Sequence, residues 1–167
     1  MRRLLIAGAL GIMVISLSAC GGSSADSASE AALQQTADYW EIDQIEKNFH
    51  EATTKKSVEQ MMSLWAPNAT FTVGPGETLA GVAEIRQFWL DSSKAFEPAT
   101  HWVSDHPAYK LDITVNGDRG TLHFECHYID YDTSEVAYVT SADLDVARIE
   151  GRWLITNMVA ASTELVP

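Results

Sequence analysis

The chain has 167 residues, 46% of them hydrophobic, and carries 11 Lys and Arg against 23 Asp and Glu, a formal net charge of −12. So acidic a surface repels nucleic acid and anionic lipid headgroups, which excludes nucleic-acid binding and membrane attachment through a basic patch. With only Cys20 and Cys126 present, the fold must rest on a packed core and not on a disulfide framework.

Arg2 and Arg3 precede an apolar run over residues 4–16, followed by Leu17-Ser18-Ala19-Cys20 and Gly21-Gly22. A run of roughly a dozen residues is a secretory signal and not a membrane span, which needs about 20. Leu-Ser-Ala-Cys resembles the bacterial lipobox, in which a peptidase cuts before a cysteine whose sulfur carries a diacylglyceryl group. The resemblance implies that residues 1–19 are removed, that lipid on Cys20 anchors the protein to a membrane, and that it lies outside the cytoplasm. Gly21, where Asp would retain a lipoprotein, implies the outer membrane if the host has one. Losing Arg2 and Arg3 takes the net charge to −14. The alternative is an ordinary signal peptide or a retained N-terminal anchor. Cys126, left without a partner, reads as a small buried apolar residue and not as a nucleophile.

Residues 20–35 are Gly, Ser, Ala and acidic residues with almost no large apolar side chain, so they read as a flexible tether. Residues 36–167 have the length of one domain. Asp38, a candidate N-cap, opens an amphipathic helix with Ile42, Ile45, Phe49 and Ala52 on one face. Ser57 and Gln60 form a capping-box pattern for a short second helix through Leu64 and Trp65, ended by Pro67. Residues 69–73 alternate as a strand and turn at Gly74-Pro75-Gly76; Val82, Ile85, Phe88 and Trp89 mark a third helix. Strands follow over residues 100–115, with Pro107 at a bulge or edge, then an Asn116-Gly117 hairpin turn, and strands at 120–131, 136–149 and 152–160. This order predicts an α+β domain with a curved antiparallel sheet wrapped on helices.

Leu64-Trp65-Ala66-Pro67-Asn68-Ala69-Thr70-Phe71, Leu79-Ala80-Gly81 with Ile85-Arg86-Gln87-Phe88, His101-Trp102-Val103-Ser104-Asp105, Asn116-Gly117-Asp118-Arg119 and Gly151-Arg152-Trp153-Leu154-Ile155 stand in the order and spacing of SnoaL-like domains. Residues 36–160 therefore resemble the nuclear transport factor 2-like superfamily. The resemblance implies a cone, its curved antiparallel sheet wrapped around three N-terminal helices, enclosing a mostly apolar cavity. Relatives include isomerases, dehydratases and cyclases alongside members that only bind or scaffold, so fold alone does not fix function.

Chemistry in such a cavity is proton transfer without a cofactor. His101 resembles a histidine that SnoaL-like dehydratases use at the start of the corresponding strand. Tyr39, Asp43 and His50 border the apolar face of the first helix; Asp43 either faces the cavity and orients His101, or is a solvated residue near Lys47. Leu122, Phe124, Cys126 and Tyr128 share one strand face, which makes Tyr128 a candidate donor to an oxyanion. His123, Glu125 and His127 share the other; alternate strand positions lie about 6.5 to 7 Å apart in a row, so no metal is assigned to them. Against catalysis, residues 52–57 lack the acid common in the family, and the last strand carries Met158 where some dehydratases have arginine. Two readings stay open. One is a membrane-tethered domain that binds a small apolar or amphipathic ligand, with or without dehydratase, isomerase or cyclase chemistry by His101, Asp43, Tyr128 and Tyr39. The other is a non-catalytic interaction module of the cell envelope, for which the resemblance implies a homodimer through the outer sheet face, or docking to another envelope protein.

Overall fold

A computed structural model describes residues 23–55, 57–74, 76–92, 102–104, 110–130 and 133–164. Cys20 and His101 lie outside them. Helix α1 (Ser23–Lys55) is followed by the short α2 (Val58–Met62), whose N-cap Ser57 accepts the Gln60 N–H at 3.3 Å as the capping pattern predicts. Strands β1 (Trp65–Val73) and β2 (Glu77–Ala80) form a hairpin, α3 (Val82–Ser92) follows, and β3 (Trp102–Ser104), β4 (Lys110–Asn116), β5 (Arg119–Asp130), β6 (Val136–Ile149) and β7 (Arg152–Glu164) complete the sheet.

The seven strands run in the order β2-β1-β7-β6-β5-β3, with β4 also paired to β5. The sheet is mixed and not wholly antiparallel, because β1 lies parallel to β7. That pairing joins residues nearly ninety positions apart, a contact that local patterning does not encode. It also explains why Trp65 opens a strand and does not close α2: Leu64 O accepts from Ile155 N at 2.8 Å, and Pro67 falls in the irregular stretch of β1 between the paired Trp65 and Thr70. A proline, with no N–H for the ladder, is tolerated there.

Bends in the long strands let them curl over the helices. In β7, Ile155 pairs with Val146 and Asn157 with Asp145, leaving Thr156 as the extra residue of a bulge. The bulge allows Ile155 and Met158, an odd number of residues apart, both to face the core. Gly120 lies where Ile42 of α1 packs on the sheet: a Cβ there would come within 2.6 Å of Thr114 O and 3.1 Å of Ile42 Cδ1.

Helix α1 departs from the sequence reading in two ways. It extends back to Ser23 through residues read as a tether, where Ala, Gln, Glu and Leu have high helix propensity although residues 27–37 are all exposed. Asp38, expected at a helix start, lies inside it, buried against Arg148 of β6; Trp153 Nε1 is 3.5 Å and Gln34 Nε2 2.8 Å from its Oδ1. Burial pushes the Asp38 carboxyl up, but the hydrogen bonds from Arg148, Gln34 and Trp153 outweigh it and hold the group below the ordinary carboxylate value.

Candidate functional site

The core face of α1 presents Ile42, Ile45, Glu46, Phe49 and His50 to the inward row of β5, which is Leu122, Phe124 and Cys126. Glu46 is the unexpected member. It is 1% exposed, and its Oε1 has no hydrogen-bond donor. His50 Nε2 lies 3.1 Å from that oxygen, within ion-pairing distance but outside hydrogen-bond geometry, and 2.6 Å from Cys126 Sγ. Glu46, His50 and Cys126 thus gather three heteroatoms, all within 4.8 Å of one another, inside an apolar core. Burial, with the Glu46 charge adding to it, pushes the Cys126 thiol up to about 12. In the absence of a cation it stays protonated, so it is no nucleophile.

Aromatic rings lead to this cluster from across the cone. Trp65 packs on Phe71 at 5.4 Å between centroids, Phe71 on Phe88 at 5.6 Å, Phe88 on Trp89 at 6.0 Å and Trp89 on Phe49 at 5.6 Å. Phe124 then lies 5.8 Å from Phe49 and 5.9 Å from the His50 ring. Phe49 and Phe88 are only half-buried, and Trp65 Nε1 is a second buried polar atom with no hydrogen-bond partner.

The residues singled out from the sequence fare differently. Asp43 is half-buried and bound to Lys47 one turn along α1, with Gln44 Nε2 at 3.3 Å, which is the solvated-helix alternative and not a cavity position. Tyr39 is 41% exposed and lines no interior. Tyr128 occupies its expected place in β5, opposite Tyr138 and Ser104, with its side chain outside the described residues. Of the Tyr39, Asp43 and His50 stripe, only His50 reaches the interior. Neither Glu46 nor its meeting with Cys126 was anticipated; the available signal was a carboxylate on the Ile42–Phe49 face of the helix.

On the outer sheet face His123 bonds Asp143 on β6 at 2.7 Å and lies 3.3 Å from Glu125, which also binds Lys110 at 3.1 Å. The Asp143 hydrogen bond raises the His123 pKa despite burial, while Lys110 and then His123 hold Glu125 below the usual carboxylate range. These side chains bond one another across strands. A groove of about 370 Å³ opens beside them, lined by Asp112, Thr121, His123, Asp143, Asp145 and Asn157 among others.

A curved sheet wrapped on helices, its polar cluster at the interior, defines an α+β protein of the nuclear transport factor 2-like, or cystatin-like, class. The chain belongs to the SnoaL-like domain family, whose model matches residues 34–159. Among solved structures it is similar to a nuclear transport factor 2-like protein from Novosphingobium aromaticivorans (17% identity, 84% of this chain and 91% of that one, TM-score 0.67). It is also similar to a suggested dehydratase of that family from Streptomyces avermitilis (13%, 79% and 99%, 0.59) and a suggested ketosteroid isomerase from Shewanella frigidimarina (18%, 71% and 92%, 0.56). At these identities the likeness shows the fold. No curated protein matches the sequence.

Proposed function

We propose that this chain is an envelope lipoprotein, anchored through Cys20, whose SnoaL-like domain binds a small apolar or amphipathic molecule at the open end of its cone, with Glu46 and His50 as the polar groups that meet it. The observation that carries this reading is Glu46, a carboxylate 1% exposed in an apolar core with an oxygen that no donor reaches. Such burial costs several kcal/mol, and costs of this kind are retained where function needs them. A ligand hydroxyl supplies the missing donor, and half-buried Phe49 and Phe88 offer apolar surface for its body. A carboxylate 3.1 Å from an imidazole is also a proton-transfer pair suited to dehydration, isomerisation or cyclisation of a carbonyl-bearing substrate. His101 and Tyr128 remain candidates to complete that set, Asp43 and Tyr39 do not, and the activities suggested for the Streptomyces and Shewanella proteins are of the same class. Native mass spectrometry of the protein extracted from its own membranes tests the reading. A small molecule should accompany the wild type and be absent from Glu46→Leu; a wild type that retains nothing, and takes up no hydroxylated sterol or fatty acid added to it, sinks the proposal.

A non-catalytic interaction module is the second reading, favoured by Trp65 and Trp89 occupying the interior and by the outer groove beside His123 and Asp143. Under it the protein docks through its sheet, to a second copy or another envelope protein, and the interior stays empty of ligand.

A further inference from the structure

We propose that Glu46, His50 and Cys126 form a three-ligand site for a borderline-soft divalent metal, for which zinc is the best fit. The inference shares Glu46 with the ligand-binding reading but does not require a small molecule to bind.

Glu46 and His50 stand one turn apart on the same face of α1, so their side chains reach in the same direction. Cys126 meets them from the inward row of β5, 76 residues away in sequence. All three are more than nine-tenths buried, at 1%, 7% and 1% exposure. The donor set is one carboxylate oxygen, one imidazole nitrogen and one sulfur. Calcium and magnesium take six or more oxygens, whereas zinc accepts this mixture and in catalytic sites uses three protein ligands with a fourth position open. With bonds of about 2.0–2.3 Å, tetrahedral zinc places its ligand atoms roughly 3.5 Å apart. The pairs here lie at 2.6 Å for sulfur to nitrogen and 3.1 Å for nitrogen to oxygen, with all three within 4.8 Å, so side-chain adjustments of about an ångström reach that arrangement. The second line of support is the Glu46 Oε1 atom, which is buried, aimed into the cluster and without a donor. A cation supplies what that oxygen lacks. On binding, the Cys126 S–H bond breaks, its proton leaves to solvent and the sulfur electron pair forms the metal bond; no electron is transferred. The doubly charged ion then faces one carboxylate and one thiolate, a neutral site fit for an apolar core.

The test uses the full chain purified in detergent, stripped with a chelator and titrated with cobalt(II) as an optical substitute for zinc. Expected are one equivalent bound, a thiolate-to-cobalt charge-transfer absorption, its loss when zinc is added, and a higher melting temperature with zinc. Cys126→Ser should abolish the absorption. Glu46→Gln, which keeps the thiol, should weaken binding by at least the roughly 10–100-fold that losing an outer-shell partner costs. Cys20→Ser should change neither. The proposal is overturned by an absorption that survives Cys126→Ser, or by no absorption together with no zinc-dependent melting shift in a wild type whose circular dichroism shows it folded. A small molecule found by mass spectrometry on a protein that binds no metal would remove this inference and leave the ligand-binding reading standing; metal without a small molecule would do the reverse.

Discussion

Glu46 is a residue whose replacement should make the protein stronger. Its neighbours Ile42, Ile45, Phe49 and Phe124 are apolar, and its Oε1 receives no hydrogen bond, so the folded state bears a desolvation cost with little return. Glu46→Leu, of similar volume, should raise the unfolding free energy of the chelator-treated protein by about 1–3 kcal/mol, measured by urea denaturation with an unchanged slope. A loss of stability instead would mean that the carboxylate, 3.1 Å from His50, contributes to the fold through that pairing. The position was hard to see in the sequence because it lies between Ile45 and Lys47 in a helix that also carries Glu41, Asp43 and Glu51, where acidic residues read as solvated surface. At 3.6 residues per turn Glu46 stands only about 40° from Ile42 around the axis, while Asp43 stands about 100° away. That angle separates the buried carboxylate from the one bound to Lys47. Cys126 as a buried, unreactive thiol was legible from the apolar alternation of β5; its meeting with His50 was not, since helix-to-strand register is a tertiary fact.

At the scale of elements, Asp38 supplies a polar clamp between α1 and the sheet, away from the Glu46, His50 and Cys126 cluster. Arg148 of β6 binds Asp38, lies 3.2 Å from Asp118 of the β4–β5 turn, and stacks 4.9 Å from the centre of the Trp153 ring. Arg148→Met keeps the stem against Trp153 but leaves Asp38, 5% exposed, without its counter-charge; a loss of about 3–5 kcal/mol is expected. The sign of the pH dependence follows from the lowered Asp38 pKa. The folded group binds its proton less readily than the unfolded one, so its stabilisation is complete above the unfolded value of about 3.9 and is lost as pH falls through the lower folded value. The gap between wild type and Arg148→Met, followed by urea denaturation, should therefore be full at pH 7 and narrow below pH 4; a gap independent of pH would place the cost in lost packing and not in the ion pair. Elements defined by local signals, the Ser57 cap, the Gly117 turn and the in-out alternation of β5, are as the sequence predicts. The errors concern β1, whose pairing with β7 is long-range, and Asp38, whose N-cap chemistry and ion-pair chemistry use the same carboxylate and cannot be told apart without knowing where Arg148 lies.

For the whole molecule, the proposed anchoring must hold a domain with so acidic a sequence at a membrane. Anionic headgroups would repel so acidic a protein, and the proposal therefore assigns attachment to lipid on Cys20 and not to a charged face. Residues 27–37 of α1 are exposed, and the helix there is held by propensity and by continuity with the packed half, in which Ile42 and Ile45 are buried. Under the proposed anchoring these 11 helical residues rise by about 16 Å and hold the domain away from the bilayer in place of a slack chain. Anchoring and folding should then separate cleanly. Cys20→Ser should move the protein from the membrane to the soluble fraction and abolish incorporation of labelled fatty acid, with its denaturation midpoint unchanged. Deleting residues 27–33 should leave the lipidated protein on the membrane and alter its stability by no more than about 0.5 kcal/mol, because all of them are exposed. A Cys20→Ser protein still held by membranes after a high-salt wash would show that a retained apolar N-terminus or a partner, and not the lipid, keeps it there.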